Sequence, residues 1–219
     1  MLSNKRITLF CGHYGTGKTN VAVNYALWLK SRGDEVQIAD MDIVNPYFRT
    51  KDSEKELTEA GIRLISPRFA NSNVDLPALP QELYGLFEFR DKKAVLDIGG
   101  DDRGAYALGR FAPMILEEND YECLFVANFY RPLTRTPAAA LTIMREIELA
   151  GGIPFTGIVN NSNLGEETTP EDVIKTYPLA RELSEISGIP VVMTSAKSEI
   201  ARSLEGDDIL PLKLQAKYY

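Results

Sequence analysis

The sequence predicts an α/β fold in which helices cover both faces of a mostly parallel sheet. Short apolar runs, rich in β-branched residues, alternate along the chain with helix-like stretches. Polar residues follow several of these runs directly, and ligands bind at that edge of parallel sheets. The chain has 219 residues, of which 44% are hydrophobic. This is enough for one full core, so we expect a single domain spanning residues 1–219.

Each predicted strand is a short apolar run bounded by turn residues. Seven such runs cover residues 7–11, 35–39, 62–66, 93–98, 121–128, 156–160 and 189–194. Helices are expected near residues 20–29, 52–60, 78–89, 104–117, 137–150, 178–187 and 197–204. The irregular stretch at 67–77 is the candidate insertion or lid, and a polar tail follows the last helix.

The most specific motif fits the pattern G-x-x-x-x-G-K-[ST] of a phosphate-binding P-loop and consists of Gly12, His13, Tyr14, Gly15, Thr16, Gly17, Lys18 and Thr19. A predicted strand precedes it, and a helical pattern from Asn20 follows it. Glycines let backbone N–H groups surround a polyphosphate, and the helix directs its positive end at the same anion. We expect Lys18 to contact the β- and γ-phosphates and Thr19 to bind Mg²⁺. The motif predicts a three-layer P-loop NTPase fold with about seven strands and nucleotide contacts from Gly12 through Asn20.

Asp97 ends the fourth predicted strand and begins the motif Asp97-Ile98-Gly99-Gly100. An aspartate at the end of an apolar strand beside a P-loop typically holds Mg²⁺, usually through water. The motif also fits D-x-x-G, in which the glycine N–H bonds the γ-phosphate, and that glycine is Gly100 here. An ordinary turn after a strand is the alternative interpretation.

Asp40 and Asp42 close the second predicted strand, and residues two apart on a strand point to the same face. Beside a bound Mg-nucleotide, Asp40 is a candidate for the water shell of the metal. Asp42 is the candidate to position or deprotonate an attacking water. The alternative is a pair of solvated loop acids.

Asn160, Asn161, Ser162 and Asn163 follow the sixth strand, in the place of the N-K-x-D motif with which GTPases recognise their base. The segment 195–197, Ser-Ala-Lys, likewise matches a backbone-contacting motif of those proteins. Asn163 supplies one acceptor and one donor, which matches the Watson–Crick edge of adenine better than the two donors of guanine. We therefore predict base contacts from Asn160, Asn161 and Asn163 and a preference for ATP over GTP. An asparagine-rich turn is the alternative.

Bulk properties exclude several function classes. The net charge of −7 makes nucleic acid an improbable partner. The two cysteines form no disulfide framework, and the single histidine excludes a multi-histidine metal site within the chain. No apolar run reaches the ~20 residues of a membrane span. The first strand begins without room for a signal peptide, so we expect a cytoplasmic protein.

The order of these motifs resembles that of the ParA/MinD-like ATPases of the SIMIBI class of P-loop NTPases. Residues 17–27, GKTNVAVNYAL, are similar to the P-loop helix of that family, and Asp40-Met41-Asp42 aligns with its switch I. The resemblance implies ATP and Mg²⁺ as ligands, a homodimer that closes on ATP, and nucleotide-dependent contact with another protein. That family usually carries a signature lysine directly after the first P-loop glycine. This chain has His13 there, so the resemblance is to an atypical member.

The leading hypothesis is therefore a Mg-dependent ATPase switch whose output is a nucleotide-dependent protein contact. A GTPase of the same class is the first alternative, supported by D-x-x-G and Ser-Ala-Lys. A kinase or ligase that transfers the γ-phosphate to a small acceptor, and a sensor that binds nucleotide without hydrolysis, are the others.

Overall fold

The structure is a computed structural model that describes residues 5–42, 50–66, 81–100, 102–206 and 208–214. Its strands are β1 Ile7–Cys11, β2 Val36–Met41, β3 Arg63–Ile65, β4 Lys93–Ile98, β5 Tyr121–Ala127, β6 Gly157–Asn160, β7 Val191–Lys197 and β8 Ile209–Leu212. They form one parallel sheet in the order β3-β2-β4-β1-β5-β6-β7-β8. The central position of β1 places the P-loop at the middle of the sheet's carboxyl edge.

The α-helices are α1 Lys18–Ser31, α2 Glu54–Glu59, α3 Gly85–Glu88, α4 Asp102–Gly109, α5 Ala112–Glu118, α6 Pro137–Gly151, α7 Pro170–Ile174, α8 Tyr177–Ser187 and α9 Ser198–Ala201. Short 3₁₀ turns cover Thr50–Ser53, Gln81–Leu83, Pro132–Thr134 and Gly165–Glu167.

Apolar side chains pack on both faces of the sheet, because successive strand residues point to opposite sides. In β1, Leu9 packs in a core with residues of α4, α5, α6 and α8. Its neighbour Phe10 packs in a second core with residues of α1 and α2. The predicted three-layer α/β architecture with a parallel sheet is confirmed. That residues 1–219 form one domain stays a prediction.

The sheet has one strand more than the seven expected. β8 lies in the segment that we predicted to be a polar tail. It has only four residues and contains Pro211, which a strand tolerates best at the edge of a sheet. Leu210 and Leu212 nevertheless bury their side chains in the α1 core, which explains why so short a strand forms.

Other boundaries also differ from the prediction. The helix expected at 104–117 is two helices, and Pro113 lies in the first turn of the second, α5, where proline is favoured. Residues 195–197 continue β7 instead of following it. The candidate lid at 67–77 lies outside the described residues. Among those that are described, no helix is both long and apolar enough to cross a bilayer.

Candidate nucleotide site

The P-loop connects β1 to α1 and closes on itself through the carbonyl of His13. Thr16 donates to this oxygen from its backbone N–H at 3.3 Å and from Oγ1 at 2.9 Å. Lys18 Nζ donates to the same oxygen at 3.4 Å, and the residue is only 5% exposed. The ammonium group is therefore held across the loop, where a phosphate lying in the loop would meet it.

Gly100 approaches the P-loop so closely that only glycine fits. A Cβ atom at Gly100 would lie 2.6 Å from the backbone nitrogen of Tyr14 and 2.7 Å from Lys18 Nζ. The loop after β4 thus brings its own backbone beside the P-loop backbone and the ammonium of Lys18. This is the placement that the D-x-x-G motif requires for contact with a terminal phosphate.

Asp97 is a buried carboxylate at the same place. It is 1% exposed, and Thr50 Oγ1 donates to its Oδ2 at 2.9 Å. Its Oδ1 has no hydrogen-bond partner among the described residues. Burial raises the pKa of Asp97 to about 6, although the charge of Lys18 and the neighbouring hydroxyls of Thr19 and Thr50 act to lower it. A buried oxygen without a donor, beside the hydroxyl of Thr19, fits the coordination shell of Mg²⁺.

Asp40 lies directly opposite Asp97 on the neighbouring strand, as its partner in the β2–β4 register. Its Oδ1 accepts the backbone N–H of Asp42 at 3.0 Å. Asp42 Oδ1 lies 3.3 Å from the position that a Cβ at Gly99 would take. All three aspartates are buried. Asp42 and Lys18 both act on the charge of Asp97, so acidic side chains of β2 and β4 and the ammonium of Lys18 come together at this edge of the sheet.

A cavity of about 830 Å³ extends from the P-loop across the carboxyl ends of β6, β7 and β8. The P-loop end is lined by Tyr14, Gly15, Gly17, Lys18, Thr19 and Asn20. The far end is lined by Asn161, Ser162, Asn163, Gly165, Glu166, Thr168, Val173, Ser195, Ala196, Lys197, Leu212 and Leu214. Arg131, one of several arginines in loops of the chain, also lines the cavity. Its size and its two ends suit a nucleoside triphosphate.

Asn161 connects the two ends of the cavity. Its Nδ2 donates to the carbonyl of Thr16 at 2.7 Å, and its Oδ1 accepts the hydroxyl of Ser195 at 2.8 Å. A Cβ at Gly17 would lie 2.4 Å from the same Nδ2, and Gly17 has a φ of +87°. The asparagine that was predicted to contact the base therefore holds the P-loop against β7.

The other two asparagines are also engaged by the protein. Asn160 is not among the residues that line the cavity; it donates to Thr176 Oγ1 at 2.9 Å and accepts the hydroxyl of Ser162 at 2.7 Å. Asn163 donates to the carbonyl of Asn161 at 2.8 Å and accepts the N–H of Gly165 at 3.2 Å. The amide that suggested adenine thus forms the turn that its alternative interpretation described.

Two residues of the site had not been predicted. Thr50 follows a stretch without a recognisable pattern, and only the fold shows that it reaches Asp97. Glu166 follows the asparagines in a polar turn. Its acidic side chain, three residues after a predicted base-contacting motif, was the signal from which it could have been predicted.

Comparison with models of protein families and with curated proteins finds no match. Solved structures do match. The cell division protein FtsY of Thermotoga maritima gives a TM-score of 0.64 at 16% identity, over 91% of this chain and 64% of that one. The signal recognition particle receptor FtsY of Elizabethkingia anophelis, in complex with GDP, gives 0.53 at 14% identity, over 89% and 58%. The signal recognition particle 54 kDa protein of Aeropyrum pernix, also in complex with GDP, gives 0.55 at 16% identity, over 89% and 42%.

The chain spans less than two thirds of the length of each of these three proteins. At such low identity the likeness concerns the fold, and it extends over about nine tenths of this chain. The specific resemblance to ParA/MinD-like proteins stays a prediction. The chain has an α/β P-loop NTPase-like fold, which it shares with FtsY and the 54 kDa signal recognition particle protein.

Proposed function

We propose that this protein is a Mg²⁺-dependent nucleoside-triphosphate hydrolase that acts as a switch, and that its nucleotide is GTP. The observation that carries the proposal is the convergence of Lys18, Asp97 and Gly100 at one end of a cavity large enough for the whole nucleotide. Lys18 begins α1, Asp97 lies near the end of β4, and Gly100 follows that strand, so the three residues come together only in the folded chain.

Each residue has one role in the proposed reaction. Lys18 and the backbone N–H groups of residues 12–19 bind the phosphates, and the N–H of Gly100 bonds the γ-phosphate. Thr19, Asp97 and Asp40 would hold Mg²⁺, and the ion would supply charge neutralisation at the phosphates. Asp42 orients the attacking water and accepts its proton.

Guanine is proposed over adenine for two reasons. The amide of Asn163 is used within its own loop, so the geometry gives no basis for the adenine preference that the sequence predicted. Two proteins that share the fold were solved with GDP bound. ATP remains the second candidate, because the run 17–27 and the Asp40-x-Asp42 motif are similar to ParA/MinD-like ATPases. A nucleotide-dependent homodimer and a protein partner are part of the proposal on the same resemblance.

The test is equilibrium binding and phosphate release with GTP and ATP in the presence of Mg²⁺. Lys18→Ala should weaken triphosphate binding roughly 100-fold, because it removes charge-assisted hydrogen bonds. Asp42→Asn should bind normally and release phosphate about 100-fold more slowly. The matched control is Asp120→Asn, since Asp120 is a half-exposed acid next to the amino end of β5, at the opposite edge of the sheet.

Three outcomes would contradict the proposal. Tighter binding of ATP would overturn the guanine preference. Binding without phosphate release, alone or with cell extract, would point to the sensor or the kinase. Normal hydrolysis by Asp42→Asn would show that Asp42 does not activate the attacking water.

A further inference from the structure

We infer that Glu166 selects the base, by accepting hydrogen bonds from the N1–H and N2–H₂ groups of guanine. The inference rests on the proposed function, because it assigns the base recognition of the same nucleotide. It concerns a residue outside the asparagine motif, three positions beyond Asn163.

Glu166 is held at the cavity by an ion pair. It lies in the 3₁₀ turn Gly165–Glu167, and its Oε2 accepts Lys197 Nζ at 2.5 Å. The same ammonium donates to the Glu166 carbonyl at 3.3 Å. The side chain of Glu166 is 81% exposed, whereas that of Lys197, at the end of β7, is 18% exposed. Such an exposed pair adds little to folding stability, but it fixes the direction of the carboxylate.

The polar side chains of Asn161, Ser162 and Asn163, which line the same end of the cavity, are bonded to the protein itself. Asn161 bonds Thr16 and Ser195, and Asn163 bonds the backbone of its own turn. The Ser162 hydroxyl donates to Asn160 Oδ1 at 2.7 Å and accepts the N–H of Phe129 at 3.0 Å. Among the described residues that line the cavity, Glu166 is the one with a carboxylate.

The chemistry of a paired carboxylate and ammonium matches guanine. The base offers two adjacent donors, N1–H and N2–H₂, and one acceptor, O6. A carboxylate has about four acceptor positions and bonds more strongly than a neutral amide, so Glu166 accepts from both donors while it stays bonded to Lys197. Lys197 has three donors and serves O6 with one of them. Adenine has a single exocyclic donor and no N1–H, so it satisfies only part of this arrangement.

Apolar side chains at the same end of the cavity suit the faces of a purine ring. Val173, Ala196, Leu212 and Leu214 line this end together with Glu166 and Lys197. Ligand sites typically combine such apolar walls with a few polar groups that fix orientation. At the far end of the cavity, the apolar side chains therefore contact the faces of the ring, and Glu166 and Lys197 recognise one edge of it.

The test measures the dissociation constants of GDP, IDP, XDP and ADP for the full chain. The wild type should bind GDP about 10-fold more tightly than IDP, which lacks the N2 amino group, and more tightly still than XDP or ADP. Glu166→Gln should lose roughly 10- to 100-fold in GDP affinity and gain affinity for XDP, whose O2 accepts from the new amide. The matched control is Glu167→Gln, which changes the neighbouring acid that does not line the cavity.

The outcomes separate the inference from the proposed function. If the wild type prefers GDP and Glu166→Gln keeps the same order of affinities, Glu166 is not the selecting group and the proposed function stands. Equal binding of GDP and IDP by the wild type would also overturn the inference, without any variant. If the wild type binds ADP more tightly than GDP, or binds no nucleotide, the proposed function itself fails.

Discussion

The two ends of the cavity use their polar groups in opposite ways. At the P-loop end, one buried polar atom is left available: Asp97 Oδ1 has no hydrogen-bond partner among the described residues, and the charge of Lys18 acts on the same carboxylate. At the far end, the three asparagines bond to the protein itself. A preorganised site keeps functional groups available at the expense of stability. By this criterion the P-loop end is the candidate binding site, and the loop of residues 160–163 is its support.

The largest expected effect is at Asp97. The pKa rise from 3.8 to about 6 corresponds to about 3 kcal/mol in favour of the neutral group. Asp97→Asn should therefore raise the free energy of unfolding of the nucleotide-free protein by up to about 3 kcal/mol at pH 7. Urea unfolding measures this change. The same variant should weaken Mg²⁺-dependent nucleotide binding, so stability and function change in opposite directions.

The difference in the free energy of unfolding between wild type and Asp97→Asn should depend on pH. Well below the unfolded pKa of 3.8, at about pH 2, the carboxyl is protonated in folded and unfolded chains alike, so wild type and variant should be equally stable. The wild type should lose stability relative to the variant as the pH rises from about 4 to 6, and the gap should stay constant above that range. Equal stability at pH 7 would show that Asp97 is not a strained group.

The second prediction compares Asn161 with Asn160. Asn161→Ala loses two buried hydrogen bonds and Asn160→Ala loses three, so each should reduce the free energy of unfolding by about 2 to 3 kcal/mol. Only Asn161→Ala should also weaken triphosphate binding, because only Asn161 holds the P-loop carbonyl of Thr16. Urea unfolding and nucleotide titration on both variants check this. Equal losses of affinity in the two variants would mean that the asparagine loop contacts the nucleotide directly.

A smaller effect is expected at Asn163. Its bonds lie in a partly exposed turn, so Asn163→Ala should cost about 1 kcal/mol of stability. The ratio of GTP to ATP affinity should stay unchanged, since its amide is used by the turn. A shift of that ratio towards GTP would indicate that Asn163 contacts adenine, as the sequence predicted.

The smallest effect is expected at His13, where the resembled family has lysine. Its Nδ1 lies 3.0 Å from the carbonyl of the adjacent Tyr14, and its backbone carbonyl forms the loop contacts. His13→Ala should change binding and hydrolysis by about twofold at most, since the backbone is retained. A loss of hydrolysis that depends on protein concentration would instead show that His13 acts across a dimer.

The parts that the sequence predicted correctly are those that depend on local chemistry. The α/β class follows from alternating patterns, and the predicted bounds of β4 match the structure at both ends. The P-loop was recognisable because its glycines must occupy fixed positions. In contrast, the pairing of Asp40 with Asp97 depends on β2 lying beside β4, and strand order is not encoded in local spacing.

Asn160 and Asn161 show most clearly what local sequence patterns do not predict. Asn160 and Asn161 are chemically identical, and their different roles follow from the alternation of side chains along β6. Ile158, two residues before Asn160, packs in the core with α6 and α8, whereas Val159 packs in the core with α1. Periodicity predicts that the two asparagines point to opposite faces. Which face carries the P-loop helix is a property of the assembled fold.

The double hydrogen bond of Asn161 also has a thermodynamic consequence. Because one amide joins Thr16 in the P-loop to Ser195 in β7, a shift of either partner disturbs the other. Events at the two ends of the cavity are then linked by a coupling free energy, and such coupling is reciprocal. If a free nucleobase changes the affinity for pyrophosphate by some factor, pyrophosphate must change the affinity for the base by the same factor.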